Sequence, residues 1–81
     1  MYFVYILESI KDNHKIYIGV SRNIEKRLIE HNTGNVPSTK PYVPWKIKSY
    51  ICVERESKAI LLEKYLKSGS GKVFVKKRLL G

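Results

Sequence analysis

The sequence predicts an α+β domain in which a small three-stranded antiparallel sheet is flanked by helices, in the order β-β-α-β-α-α. Two strand-like runs near the start are joined by a short polar segment, which favours a hairpin. Two later stretches repeat apolar residues at helical spacing on either side of a third strand-like run. The chain has 81 residues, of which 43% are hydrophobic, so we expect one domain over residues 1–81 with a thin core.

The first two strands are expected to pair as an antiparallel hairpin. Residues 2–7 are apolar throughout, which is typical of a strand covered on both faces. Residues 15–20 are rich in β-branched and aromatic side chains, which favour a second strand. A hairpin loop centred near Lys11 would place Tyr5 opposite Tyr17 on one face of the sheet.

The third strand is predicted over residues 45–53, where apolar and polar side chains alternate. The alternation would place on one face the side chains of Trp45, Ile47, Ser49, Ile51 and Val53. The strand follows a predicted loop, residues 36–44, which contains all three prolines of the chain.

Two helices are predicted from capping residues and from the apolar spacing. Ser21 or Asn23 caps the first, which runs to about His31 and is ended by the turn residues 32–35. The second begins near residue 55 or 57 and runs to Lys67.

The segment after the second helix contains two glycines and two serines. Residues 68–71 are predicted to form a flexible turn, and residues 72–80 a short final helix. With Lys72, the segment is similar to a phosphate-binding loop. That motif follows a strand and needs glycine where Leu66 stands, so this alternative is rejected.

Net charge is the strongest compositional indication of function. Sixteen lysines and arginines against seven acidic residues give +9, which favours a polyanion such as nucleic acid as the partner. The alternatives are a basic surface without a partner, a ribosomal protein and a membrane-surface protein. One cysteine and two histidines exclude a disulfide framework and a four-ligand zinc site. The sequence has no signal-peptide pattern and no apolar run of membrane-spanning length, so a cytoplasmic protein is expected.

Charged residues interrupt the apolar stripes of both predicted helices. Arg27 and His31 lie on the stripe of the first helix, and Glu63 lies on that of the second. Burying charge is unfavourable unless it is paired or serves a site. These residues either reach water at the edge of the stripe, form an Arg27–Glu63 ion pair, or belong to a functional site.

Tyr5 and Tyr17 would ordinarily be packing residues. Gly19 lies two residues after Tyr17 and therefore on the same face, and a glycine inside a strand often marks the close approach of a ligand or of another backbone segment. Two phenols, a guanidinium, an imidazole and a carboxylate are suited to phosphodiester hydrolysis. The carboxylate holds Mg²⁺, the arginine offsets transition-state charge, and a phenol or imidazole takes a proton from water.

At this point the sequence is identified as similar to the GIY-YIG nuclease family, in its small standalone branch. Val4-Tyr5-Ile6 matches the first motif without its leading glycine, and Tyr17-Ile18-Gly19 matches the second motif in full. Downstream, the resemblance covers the first helix, the loop into the third strand, the glutamate-bearing helix and the basic tail, at residues 21–32, 39–45, 59–67 and 68–78.

The resemblance implies a metal-dependent DNA endonuclease, with DNA repair or recombination as the suggested setting. It implies a site composed of Tyr5, Tyr17, Arg27, His31 and Glu63. Glu63 would be the single ligand of Mg²⁺ or Mn²⁺, Arg27 the phosphate contact and His31 an assisting group. Either tyrosine is a candidate for the general base. Some family members also use a late asparagine, and none follows Asn35 here.

Duplex or branched DNA is the partner that the resemblance implies. The basic residues predicted to contact it are Lys40, Lys67, Lys72, Lys76, Lys77 and Arg78. Family nucleases usually obtain specificity from an appended domain, so we expect weak specificity unless a homodimer or a partner protein supplies it. Two alternatives are a catalytically weak nucleic-acid-binding module of the same fold and an adaptor for an acidic protein.

Overall fold

The computed structural model describes residues 1–80 and confirms the predicted α+β fold and element order. The three strands are β1 (Tyr2–Ser9), β2 (Ile16–Ser21) and β3 (Trp45–Val53). The three α-helices are α1 (Ile24–Asn32), α2 (Glu56–Lys67) and α3 (Gly69–Phe74). A 3-10 turn precedes β3 and a π-helical turn follows α3, at Lys40–Tyr42 and Val75–Leu79.

Strand β1 is the centre of the sheet, whose order is β2-β1-β3 with antiparallel pairing throughout. Its side chains alternate between two core clusters. Val4 and Ile6 pack with Ala59 of α2 on one face, while Tyr5 and Leu7 lie in the cluster that contains the α1 side chains on the other. The uninterrupted apolar run is thus explained by burial on both faces, as predicted.

The predicted pairing of Tyr5 with Tyr17 is wrong by two residues. Tyr5 pairs with Gly19, and Tyr17 pairs with Leu7. The hairpin loop is centred on Asp12, whose carbonyl accepts a 2.9 Å hydrogen bond from the Lys15 amide. Because a shift of two residues preserves the strand face, both tyrosines still lie on the α1 side of the sheet.

The third strand is confirmed, but the prediction that Trp45, Ile47 and Val53 share one face of the sheet is wrong. Ile6 pairs with Ser49 and Leu7 with Ile47, which leaves Lys48 as an extra residue in a β-bulge. One extra residue reverses the alternation of faces. Trp45 and Ile47 therefore pack on the α1 side of the sheet, and Val53 packs on the opposite side.

Helix α1 crosses the sheet between two anchored ends. The Asn23 side chain accepts a 3.0 Å hydrogen bond from the Lys26 amide at its start, as the capping pattern predicts. At its end, the Asn32 side chain bonds both backbone groups of Trp45, at 2.6 and 3.0 Å. Gly34, with φ of 80°, follows in the left-handed conformation. The two Asn32 bonds therefore hold the end of α1 at the start of β3, while its first residue follows closely after β2.

The predicted flexible turn at residues 68–71 is largely helical, because α3 begins at Gly69. The Ser68 hydroxyl accepts a 3.2 Å hydrogen bond from the Gly71 amide and caps the helix. Gly71 is buried, and a Cβ atom there would lie 2.6 Å from the Leu66 Cα. The glycine thus permits α3 to pack closely against the end of α2.

Helices within residues 1–80 are all too short or too polar to cross a membrane.

Candidate active site

Gly19 brings the two motif tyrosines together. The Tyr5 ring crosses β2 at this residue, and a Cβ atom built on Gly19 would lie 2.5 Å from the Tyr5 hydroxyl oxygen and 3.0 Å from Tyr17 Cε2. The two rings lie side by side with centroids 6.1 Å apart. The strand glycine therefore makes room for another side chain of the same sheet, which is the physical reason for its place in the motif.

His31 connects α1 to the tyrosines. Its Nε2 lies 3.0 Å from the Tyr5 hydroxyl, and its ring centroid lies 4.7 Å from that of Tyr17. Its Nδ1 lies 2.8 Å from the Thr39 hydroxyl, which donates to the Val36 carbonyl at 3.2 Å. Since that hydroxyl has only one proton, it accepts from Nδ1–H, and Nε2 accepts the Tyr5 proton. The donors and acceptors in the hydrogen-bond series Tyr5–His31–Thr39 are thus fixed, with each side chain donating to the next.

Burial keeps both His31 and Tyr5 in their neutral forms. Neither residue is more than 2% exposed. Burial raises the pKa of Tyr5 to about 12, although the neighbouring Arg27 guanidinium opposes the rise. Burial also lowers the pKa of His31 from its usual 6.5, and the positive charge of Arg27 lowers it further. The polar atoms of the buried pair are therefore satisfied by hydrogen bonds without ionisation.

The charges of Arg27, on α1, and Glu63, on α2, both act on the Tyr5 phenol. The Arg27 guanidinium lies beside Tyr5, and the Glu63 carboxylate is close enough to raise the pKa of Tyr5 by charge repulsion. The predicted alternative of an Arg27–Glu63 ion pair is wrong. Arg27 bonds Glu30 at 3.0 Å, and Glu63 bonds Lys67 at 3.0 Å. A hydrogen bond to Glu30, with a further contribution from Tyr5, raises the pKa of Arg27, which keeps it cationic.

Accessibility divides the five predicted site residues into two groups. Tyr5 and His31 are buried, whereas Tyr17 is half-buried. The side chains of Arg27 and Glu63 are 35% and 26% exposed. The side chains of the second group are therefore accessible from solvent, whereas those of the first group are not.

The basic residues predicted to contact nucleic acid do not form one cluster. All are exposed. Lys40 belongs to the turn on the α1 side of the sheet, and its stem approaches Gly34. Lys72 is in α3, and the other tail residues are in the π-helical turn that follows it. Both elements lie on the face of the sheet opposite α1. Lys67 is engaged by Glu63.

Thr39 belongs to this cluster, although the sequence placed it only within the family resemblance of the loop at residues 39–45 and gave it no role. It is 1% exposed, and its carbonyl also accepts a 2.9 Å hydrogen bond from the Trp45 indole. A threonine in a proline-rich loop carries no periodic pattern that would reveal its contact with a helix. Only its hydrogen bond to His31 identifies it.

Protein stability is expected to fall on acidification because of His31. Below pH 6.5 this histidine becomes protonated in the unfolded chain but stays neutral in the folded protein, because burial lowers its folded-state pKa. Stability from His31 is thus complete above the unfolded pKa, and it is lost as the pH falls through the window down to the folded pKa. Thermal unfolding between pH 8 and 5 should show a midpoint that declines towards acid.

The His31→Gln variant should flatten this decline, whereas His14→Gln should preserve it. His14 is exposed and serves as the matched control. Equal slopes in the wild-type chain and the His31→Gln variant would show that carboxylates alone cause the acid sensitivity.

Comparison with protein families gives one match that covers nearly the whole chain. A model described as the GIY-YIG catalytic domain matches residues 1–78. This confirms the resemblance inferred from the two tyrosine motifs and the residues downstream. Searches among curated proteins and among solved structures each found no match.

Proposed function

Since the chain belongs to the GIY-YIG family of nuclease domains, we propose that it is a metal-dependent DNA endonuclease that hydrolyses phosphodiester bonds with a tyrosine-assisted water. The observation that supports this most directly is the close packing of Tyr5, Tyr17 and His31, with Arg27 beside the Tyr5 phenol and the Glu63 charge also acting on it. A cation and an anion beside adjacent phenols suit an anionic ester and the metal that accompanies it.

The donor set suits a divalent metal held jointly with substrate. Residues 1–80 contain no group of three or more acidic, histidine or cysteine side chains that would enclose an ion. Mg²⁺ does not need one, because it commonly binds one or two carboxylates and takes its other ligands from phosphate and water. Glu63 would hold the Mg²⁺ or Mn²⁺ ion, which when bound would polarise the phosphate. Its Oε2 accepts the Lys67 hydrogen bond.

Arg27 is suited to bind the scissile phosphate. Its charge is permanent, and its hydrogen bond to Glu30 orients the guanidinium while leaving the side chain 35% exposed. A guanidinium offers several N–H donors in one plane, which match the non-bridging oxygens of a phosphate. In this role Arg27 would offset the charge that accumulates on those oxygens as water attacks.

Tyr17 is the better candidate for the group that accepts a proton from water. The Tyr5 hydroxyl is buried and donates to His31, and a pKa of about 12 opposes its ionisation. Tyr17 is more accessible and contacts the same imidazole ring. We therefore assign proton transfer to Tyr17 and positioning to Tyr5, His31 and Thr39.

The DNA strand would be held chiefly by charge. The protein has a net charge of +9, so contacts between its basic side chains and the DNA phosphates would supply affinity. Such contacts carry little sequence information. Lys40 and the tail residues Lys72, Lys76, Lys77 and Arg78 are the proposed contacts. Specificity would then be weak unless a homodimer or a partner protein adds to it. DNA repair or recombination in the cytoplasm is the setting that fits such an enzyme.

Cleavage assays test the proposal directly. The purified chain, incubated with labelled branched, single-stranded and duplex DNA, should cut in Mg²⁺ or Mn²⁺ and stop in EDTA. The Tyr17→Phe variant, which keeps the ring and removes the hydroxyl, should lose at least about 100-fold in rate. DNA binding without cleavage of any substrate in either metal would instead favour the catalytically weak binding module.

A further inference from the structure

Part of the sheet face beside the candidate active site is uncovered. Helix α1 runs from the end of β2 to the start of β3 and covers Tyr5 and Leu7. The remaining end of that face carries Phe3 of β1, which pairs with Ser21 on one side and Cys52 on the other. Beyond the reach of α1, the face is therefore open to solvent.

Two aromatic rings stand on this open face. Phe3 and Tyr50 meet edge to face, with centroids 5.7 Å apart and planes at 68°. Tyr50 is 53% exposed and Phe3 is half-buried, and neither ring belongs to the core clusters on the two sides of the sheet. An aromatic pair that contributes to neither cluster has apolar surface left for a ligand.

The pair lies directly beside the site. Tyr50 is the register partner of Tyr5 on β3, just as Gly19 is its partner on β2. The bulge at Lys48 produces this arrangement, because it turns Tyr50 onto the face of Tyr5. Adjacent strands are about 4.8 Å apart. Tyr50 on β3 and Tyr17 on β2 therefore lie on strands about 10 Å apart across β1, a distance that one or two nucleotides of an unpaired strand can span.

We propose that Phe3 and Tyr50 form a stacking platform for an unpaired nucleobase next to the scissile phosphate. This inference rests on the proposed function, which supplies nucleic acid as the ligand. The charge of +9 favours a polyanion over an uncharged apolar partner. Exposed aromatic rings on an open sheet face bind bases through their π-faces.

The platform specifies a substrate class. A base inside a duplex is stacked on both faces by its neighbours, so it cannot also stack on a protein ring. The preferred substrate would therefore be a single strand, a flap or a branch in which at least one nucleotide beside the cut is unpaired. Uninterrupted duplex would bind through phosphate contacts alone.

Binding measured in EDTA isolates the platform from catalysis. Anisotropy of a labelled single strand should show that Tyr50→Ala weakens binding by roughly 5- to 150-fold, whereas Tyr50→Phe retains the ring and the affinity. Blunt duplex of the same sequence should be affected by less than about 2-fold. Tyr65→Ala removes a tyrosine that is 47% exposed on α2, and it should change neither affinity.

The single cysteine of the chain provides a local probe of occupancy. Cys52 is exposed and is the register partner of Phe3. A bound single strand should slow its reaction with a thiol reagent, and the protection should weaken in Tyr50→Ala together with the affinity. Duplex bound at saturation should leave the thiol reactive.

Four results would overturn the platform. Equal weakening by Tyr50→Ala and Tyr65→Ala, equal loss for duplex and single strand, or an unprotected Cys52 each contradict it. So does a wild-type dimer that Tyr50→Ala dissociates in sedimentation, because a second copy would then occupy the face. Failure of the nuclease proposal is distinct: single strands would bind through Tyr50 in EDTA and remain uncut in metal.

Discussion

DNA cleavage is expected to fall by roughly 100- to 1000-fold when Glu63 is replaced by glutamine. The substitution keeps the size of the side chain and removes the charge that would hold a divalent ion. Glu63 is half-buried on the stripe that faces the sheet, and its charge acts on Tyr5. The fold should persist, because the pairing with Lys67 is partly exposed and such pairs contribute about 0–1 kcal/mol.

Calorimetric titration with Mn²⁺ of the chain saturated with a non-hydrolysable DNA analogue would separate metal binding from catalysis. Glu63→Gln should lose the binding isotherm, while Glu54→Gln, an exposed acidic residue before α2, should retain it. Lys67→Gln should bind Mn²⁺ slightly more tightly, because the Lys67 ammonium no longer bonds the Glu63 carboxylate. Lys64→Gln removes one positive charge without this bond and is the matched control. Undiminished cleavage by Glu63→Gln would remove this carboxylate from the mechanism.

Replacing Gly19 with alanine is expected to disrupt the tyrosine cluster and to destabilise the fold. The added methyl would lie 2.5 Å from the Tyr5 hydroxyl oxygen and 2.7 Å from Cζ of the same ring. Tyr5 is buried and held by His31, so the ring has little room to yield. Overpacking of this kind lowers the free energy of unfolding by about 1–3 kcal/mol. Displacement of the ring by about 1 Å should reduce cleavage at least 100-fold.

Gly69→Ala is the matched control for this substitution. No atom lies within 4 Å of a Cβ built at Gly69, which is the first residue of α3. Alanine favours helix over glycine, so the free energy of unfolding should stay constant or rise slightly, and cleavage should not change. Chemical denaturation and cleavage rates measure both effects. Equal behaviour of the two variants would show that Gly19 is not required for the close approach.

The predicted element order is confirmed because it depends on local patterns. Apolar periodicity and capping residues act over a few positions, so the strand pair, α1 and α2 could be recognised from short windows of sequence. The same patterns singled out Arg27, His31 and Glu63, since a charge on an apolar stripe is visible without any tertiary contact. The structure places all three near Tyr5.

Loop geometry and strand pairing account for the predictions that were wrong. The hairpin register depends on the turn around Asp12, and the bulge at Lys48 depends on how β3 meets β1. The helical start at Gly69 requires the close contact of Gly71 with the end of α2. At each of these three positions the conformation depends on a contact with another segment, which the neighbouring sequence does not reveal. Glycine and lysine occur in turns, strands and helices alike, so the residue type does not decide the conformation either.

The sequence by itself determined the α+β fold, the excess of positive charge and the residues that set this chain within its family. Only the tertiary structure distinguished Tyr5 from Tyr17. The first motif is incomplete and the second complete, but either tyrosine could have been the general base. In the structure, His31 and α1 bury Tyr5 and leave Tyr17 accessible. Burial and hydrogen bonding set the protonation of a phenol, and both arise from residues far along the chain. The sequence thus identified the chemical groups of the candidate site, and the tertiary packing determined the protonation and accessibility of each group.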